Sequence, residues 1–144
     1  MFSSERMQAE WTPRLLSVAR IFIALLYLQH GLSKYVGFPA PPPANFHMFS
    51  LYGLAGAIEI IGSLLLLFGL FTRPAAFIMS GEMAVAYFMN RPPRGLFPLL
   101  NGGSLEYLYC FVFFIFFLIG PGSWSLDAMI AKMKGIRNGR LGTA

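Results

Sequence analysis

Glu59, Glu82, Arg20, Lys34, Tyr27 and His30 are the residues of this chain whose types and positions could do chemistry inside apolar protein. Glu59 is the one acid in the proline-free run LYGLAGAIEIIGSLLLLFGLF, Leu51 to Phe71. At about 1.5 Å of rise per residue this run spans roughly 30 Å, the thickness of a bilayer's hydrocarbon core. Gly56, Gly62 and Ser63 lie three or four positions from Glu59 and share its helical face. Small residues let a second helix approach closely, and a buried acid needs a partner. Glu59 is therefore expected to point into a tight helix–helix seam.

On the preceding apolar segment, Ser17, Arg20, Ala24, Tyr27, Gly31 and Lys34 recur at spacings of three and four. They form one polar and small stripe on an apolar cylinder, with His30 off its edge. By helical rise Arg20 lies roughly 8 Å inside its end of the bundle, and Glu59 and Glu82 lie roughly 18 and 11 Å inside the same end. These depths predict that Arg20 reaches at least one of the acids. An isolated charge there costs about 2.5–3.5 kcal/mol on insertion scales. Two acids against one arginine leave the site short of one positive charge. One glutamate is then expected to be protonated at neutral pH, or to be served by Lys34. Two readings weigh evenly: a structural network that fixes which helix faces pair, or a pocket for a polar headgroup such as a quinone carbonyl. Glu82 is the better proton carrier, because nothing basic lies between residues 75 and 89. Snorkelling of Arg20 to the interface is a further structural reading.

Composition agrees with a membrane setting. The chain is 56% hydrophobic and 12% charged, with a mean hydropathy of +0.62, whereas about a quarter of residues are charged in soluble domains. The net charge of +5 would suggest nucleic acid in a soluble protein, but here the basic residues sit mostly at the ends of apolar runs. No nucleic-acid partner is expected. Cys110 is the single cysteine, which excludes an internal thiol redox pair; its place between Tyr109 and Phe111 suits a small buried hydrophobe. His30 and His47 flank the first loop without cysteine or carboxylate at ligand spacing, so neither a metal nor a covalent cofactor is expected.

The elements that must position these residues follow from the punctuation. Residues 1–14 read as a polar cytoplasmic segment, with Pro13 in the first turn of a helix. Membrane helices are expected at about 15–34, 51–71, 75–89 and 105–119, within a membrane domain of residues 15–127. Tyr27, Gln29 and His30 stand where a signal cleavage site would fall, so the first helix is read as retained. GFPAPPPAN (residues 37–45) and NRPPRGLFPLLNGGS (residues 90–104) read as outer loops. The short turn at Thr72–Pro74 makes helices two and three an antiparallel hairpin. Asn101, Gly102 and Gly103 form a turn that starts the fourth helix, where Glu106 suits the dipole, and its aromatic run faces lipid. Ser125 and Asp127 are expected to cap a short amphipathic tail helix within residues 128–144, with Met129, Ile130 and Met133 as its apolar stripe. Arg6, Arg14, Arg73, Lys132, Lys134, Arg137 and Arg140 lie on the side of the termini, against Lys34, Arg91 and Arg94 on the other. Both termini are therefore expected in the cytoplasm, in a bacterial inner membrane.

The layout resembles the DoxX family of bacterial membrane proteins. The resemblance covers roughly Arg14 to Asp127. It rests on Arg20, HGLSK (residues 30–34), GLAGAIEIIGSLLLLFGLFTRPAA (residues 53–76), EMAVAYFM (residues 82–89), FPLLNGG (residues 97–103) and GPGSWSLD (residues 120–127). Relatives often carry a histidine where Asn90 and Arg91 stand, and an acid where Ser104 stands. The resemblance implies an all-α, four-helix inner-membrane bundle and redox at the membrane, through relatives in a thiosulfate:quinone oxidoreductase and in an oxidative-stress complex. On this reading the chain is a quinone-interacting component of a membrane oxidoreductase. Glu59 and Glu82 would supply protons, and Arg20, Tyr27, Lys34 and His30 would hold the ligand. The alternative is a non-catalytic anchor, whose basic tail (Lys132 to Arg140) docks a soluble redox protein or anionic lipid. Membrane lipid is a partner on either reading, and assembly of a homo-oligomer is open.

Overall fold

The computed structural model describes residues 4–44, 46–90 and 95–141, with side chains given from 5 to 136 within those ranges. Asn45 of the first loop and Arg91 and Arg94, counted in the outer charge, lie outside the described residues, as do the side chains of Arg137 and Arg140. The described chain is all helical: α1 (Ser4–Val36), α2 (Leu51–Phe68), α3 (Thr72–Asn90), the single turn α4 (Pro98–Asn101), α5 (Ser104–Ile119) and α6 (Leu126–Leu141). Helix α1 packs on α2, α2 on α3, and α3 on α5. Tyr27 of α1 closes the ring of four through edge contacts with Tyr109 and Phe113 of α5.

Several boundaries differ from the sequence expectation, each for a local reason. Helix α1 runs back to Ser4, so Pro13 lies inside it and not in its first turn. Its turns before Pro13 are exposed, so the missing amide donor disturbs no packing. The Pro13 carbonyl is well used: it accepts from Ser17 Oγ at 2.9 Å and from the Ser123 amide at 3.2 Å. Helix α2 stops at Phe68 because Gly69 takes a left-handed φ of 65°, and its amide returns to the Leu65 and Leu66 carbonyls. Helix α3 starts at Thr72 because the two carboxylate oxygens of Asp127 accept from the Phe71 and Thr72 amides, each at 2.9 Å. Asp127 thus caps α3, not the tail helix expected from its neighbours; Ser125 does cap α6, accepting from the Ala128 amide at 3.1 Å.

The small face of α2 does what small residues permit. Gly53, Gly56, Glu59, Gly62, Ser63 and Leu66 are its buried positions. A Cβ placed on Gly31 of α1 would stand 3.0 Å from the Gly56 carbonyl oxygen, so the α1 and α2 backbones touch. Large apolar side chains such as Phe22, Leu26, Phe77 and Phe111 point outward and are more than half exposed. Two helices among the described residues, α1 and α2, are long and apolar enough to cross a membrane; α5 is apolar but shorter. At the loop end, the buried Asn101 amide donates to Tyr87 Oη at 3.1 Å and to the Gly95 carbonyl at 2.8 Å, while its oxygen accepts from the Gly103 amide at 2.8 Å. That side chain folds the second loop onto α3 and sets the start of α5.

Arg20 holds the opposite end, and here the sequence expectation needs correcting. Its guanidinium is fully buried but meets neither acid. Nε donates to the Pro121 carbonyl at 2.8 Å, one terminal nitrogen to the Leu66 carbonyl and to the Leu67 carbonyl at 2.9 Å, and the other to the Trp124 carbonyl at 2.6 Å. The last turn of α2 has carbonyls without helical partners, and the five-donor fork of arginine satisfies them together with the 121–124 turn. Gly122, at φ 80°, lets that turn press onto α1: a Cβ there would lie 2.6 Å from the Pro13 carbonyl oxygen. Arg20→Met should lower stability by about 3–5 kcal/mol, because buried carbonyls lose a charged donor. Arg20→Lys should recover only part, since a point ammonium cannot serve the same fan of acceptors. Thermal unfolding of the purified variants measures both; an Arg20→Met protein as stable as wild type would remove the clasp as the fastening of this end.

Candidate functional site

The other acids and bases gather at the loop end of the bundle. Glu59 lies about 12 Å from the start of α2, and Glu82 about 12 Å from the end of α3, by helical rise. Because α2 and α3 run antiparallel, both carboxyl groups reach one level. Lys34 comes to them from the last turn of α1. Lys34 Nζ sits 2.7 Å from Glu59 Oε1, with the carboxylate almost fully buried. Tyr27 Oη, also buried, donates to Glu82 Oε2 at 3.1 Å. Among the described residues, Glu59 Oε2 and Glu82 Oε1 are buried without a hydrogen-bond partner.

These side chains line a cavity of about 840 Å³ between α1, α2, α3 and α5. Tyr27, His30, Lys34, Glu59 and Glu82 are brought together there, with Glu106 and Tyr109 of α5. Arg20 is not in it: by helical rise it stands about 21 Å along α1 from Lys34. Lys34, expected only as an alternative partner for one of the two acids, stands beside Glu59, and Arg20, expected to reach at least one of them, reaches neither. His30 contributes a ring wall, packed edge-on against Tyr27 and Tyr109 at centroid distances of 5.9 and 6.0 Å. Tyr27 in turn packs on Tyr109 at 4.9 Å and Phe113 at 4.8 Å.

Sequence reasoning missed Tyr109 by treating the aromatic run of α5 as lipid-facing throughout. One stripe of it, Tyr109, Phe113 and Phe116, is buried. The signal lay in the spacing of four and three on a helix otherwise apolar all round, which hides a period from composition alone. Ser80 on α3 fixes this face by donating to the Cys110 carbonyl at 2.8 Å.

Chemically, the cavity borders a cation with donors to spare, two carboxyl groups each with one oxygen lacking a partner among the described residues, a phenol and an aromatic wall. It suits a flat group bearing carbonyl oxygens, with Lys34 as donor and the Tyr27–Glu82 pair as a route for a proton. No group of His, Cys, Asp and Glu with metal-holding geometry occurs among the described residues. Lys34→Met should destabilise the protein by about 3–5 kcal/mol, because it strands a buried carboxylate. The double variant Lys34→Met/Glu59→Gln should recover much of that loss. A thermal-unfolding cycle measures the coupling, and strictly additive losses would mean that the pair contributes nothing as a pair.

The chain is 41% identical over 128 residues to an uncharacterized protein of Haemophilus influenzae, covering 85% of this chain and 96% of the relative. A second uncharacterized Haemophilus influenzae protein is 29% identical over 131 residues, covering 82% and 84%. An uncharacterized membrane protein of Mycobacterium tuberculosis is 27% identical over 142 residues, covering 88% and 86%. No solved structure matches. The pattern that defines the DoxX family matches residues 15–91, from the start of the apolar part of α1 through Glu59 and Glu82 to the end of α3. This chain belongs to the DoxX family of membrane proteins.

Proposed function

We propose that the chain is a multi-pass protein of the bacterial inner membrane that binds the headgroup of a quinone in the cavity beside Lys34. The observation that carries this reading is the half-satisfied polar cluster: a buried ion pair and a buried phenol–carboxyl pair, each carboxyl with one oxygen lacking a partner among the described residues, whose side chains border one aromatic-walled cavity. The Arg20 guanidinium, by contrast, is matched by four backbone carbonyls. In this reading α1, α2, α3 and α5 all cross the bilayer. Helices α2, α3 and α5 have lengths of about 27, 28 and 24 Å by helical rise, and the outward apolar side chains support immersion. Both termini lie in the cytoplasm by the charge asymmetry of the loops.

Bound there, a quinone would present one carbonyl oxygen to Lys34 Nζ and a ring face to Tyr109 or His30. Glu82, in contact with Tyr27, would pass a proton to the ring oxygen as electrons arrive. Full reduction of a quinone takes up two electrons and two protons. The two electrons would come from a reduced redox partner reaching the loop end where the cavity lies, and Glu82 would be reprotonated from water on that side to deliver the second proton, the chain acting as one component of a membrane oxidoreductase or oxidative-stress system. A second reading is favoured by α6: Met129, Met133 and Ile136 are exposed beside the exposed Lys132 and Lys134. That surface suits an anchor or assembly role, the tail resting on anionic lipid or on a soluble partner, with no catalysis by the chain itself.

Native mass spectrometry with quinone extraction tests the first reading on wild type, Glu82→Gln and Tyr27→Phe purified from quinone-containing membranes. Wild type should retain quinone, and each variant should retain about tenfold less or lower, the loss expected when a hydrogen bond to a charged group goes. A quinone-free wild type of normal stability would leave the anchor reading in its place.

A further inference from the structure

The cavity is larger than a single ring requires and it does not close against the surroundings. At about 840 Å³ it lies toward the upper end of the roughly 300–1,000 Å³ typical of sites for whole drug-sized molecules. Its two ends differ in chemistry. The inner end holds Lys34, Glu59, Glu82 and Tyr27, while the outer part lies between α2 and α3 and is apolar, with Leu54 and Ile58 on one side and Ile78 and Val85 on the other. Leu54, Ile78 and Val85 are each more than half exposed, so they form the rim of an opening and not a packed core.

The opening has defined borders. Toward the α2–α3 turn it ends where the helices come into contact: a Cβ on Gly62 would stand 2.6 Å from Met79 Sδ. Toward the loops it ends at a hydrogen bond between the two helices, from Tyr52 Oη to Asn90 Oδ1 at 3.2 Å. Between Gly62 and Tyr52 lie about 15 Å of α2 by helical rise. Between these two contacts exposed apolar residues of both helices line the cavity, which reaches from the outward apolar surface to the two buried acids.

We infer that this gap is a lateral doorway and tail groove: the site takes an amphiphile with a single hydrocarbon chain, whose polar ring lies on Lys34 and Glu82 while its chain leaves between Leu54/Ile58 and Ile78/Val85 into the bilayer. The inference rests on the quinone reading above and adds to it the route and the tail. A chain passing from lipid to an apolar rim loses and gains little, because lipid tails are as apolar as the residues they meet. The doorway therefore acts on access and shape, not on hydrophobic gain. It lets the ring reach buried charge without drawing the chain through the polar loop end.

The experiment compares a tailless benzoquinone with its decyl derivative, binding to wild type, to Leu54→Trp/Val85→Trp and to the outward control Phe22→Trp, all in lipid nanodiscs. The Trp pair narrows the rim from residues already exposed, so it should leave folding intact. It should weaken the decyl quinone at least tenfold, and leave the tailless quinone within twofold of wild type; the control should change neither. As a second readout, a diazirine placed in the decyl chain should label Leu54, Ile58, Ile78 and Val85 in wild type. Wild-type binding of both quinones, with the Trp pair weakening neither or both equally, overturns the doorway and leaves the quinone reading standing. Label spread evenly over outward residues such as Phe22 and Phe111 does the same. Failure of wild type to bind either quinone removes the quinone reading itself, and the doorway with it.

Discussion

Burying charge among helices that have no water to offer is the constraint on which this structure depends. The molecule meets it in two ways, one at each end of the bundle. Around Arg20, every direction of the guanidinium finds a backbone carbonyl, from the end of α2 or from the turn after α5. Around Glu59 and Glu82 satisfaction is partial: each carboxyl has one oxygen engaged and one without a partner among the described residues. Since unmet polar atoms in an apolar interior cost on the order of 1–3 kcal/mol each, the second arrangement is expensive as a fastening. Its cost makes sense in a site that receives a polar group.

Packing follows the same division. The α1–α2 contact is close because Gly31 and Gly56 bring backbones together, and the Arg20 end adds the Asp127 cap that joins the α2–α3 turn to the start of α6. Toward the loops, where Gly31 meets Gly56, single polar bridges add to that contact. Tyr35 Oη donates to the Gly53 carbonyl at 2.7 Å, Tyr87 Oη to the Leu96 carbonyl at 2.6 Å, and Tyr52 reaches Asn90. The Arg20 end is therefore fastened by the guanidinium and the Asp127 cap, while the loop end combines the close Gly31–Gly56 approach and the Lys34–Glu59 pair with tyrosine hydroxyls around a space.

Much of this was legible in the sequence. The small-residue face of α2 followed from Gly56, Gly62 and Ser63 around Glu59, and the loops from their prolines. Lys34 as a partner for one of the two glutamates followed from the charge imbalance, though only as the alternative to a protonated acid. Arg20 was misassigned because backbone carbonyls carry no residue-type signature; the sequence shows acids as candidate partners and shows nothing of helix ends. Asp127 was misassigned because its natural reading is local, while its actual acceptor role spans more than fifty positions, to Phe71 and Thr72. Tyr109 was hidden because α5 is apolar on every face, so its inward stripe carries no contrast. The helical start at Ser4 was missed because Pro13 is a reliable boundary only where the residues before it must pack.

The clasp at Arg20 also sets an order of manufacture. A chain threaded into a bilayer from its N-terminus places Arg20 there first, and the Leu66 and Leu67 carbonyls arrive only when α2 follows. The Pro121 and Trp124 carbonyls come roughly a hundred residues later than Arg20, with the turn between α5 and α6. Until then the guanidinium is incompletely matched, and a chain that stops before residue 121 never completes it. The fastening of the first helix thereby waits on the turn that follows α5.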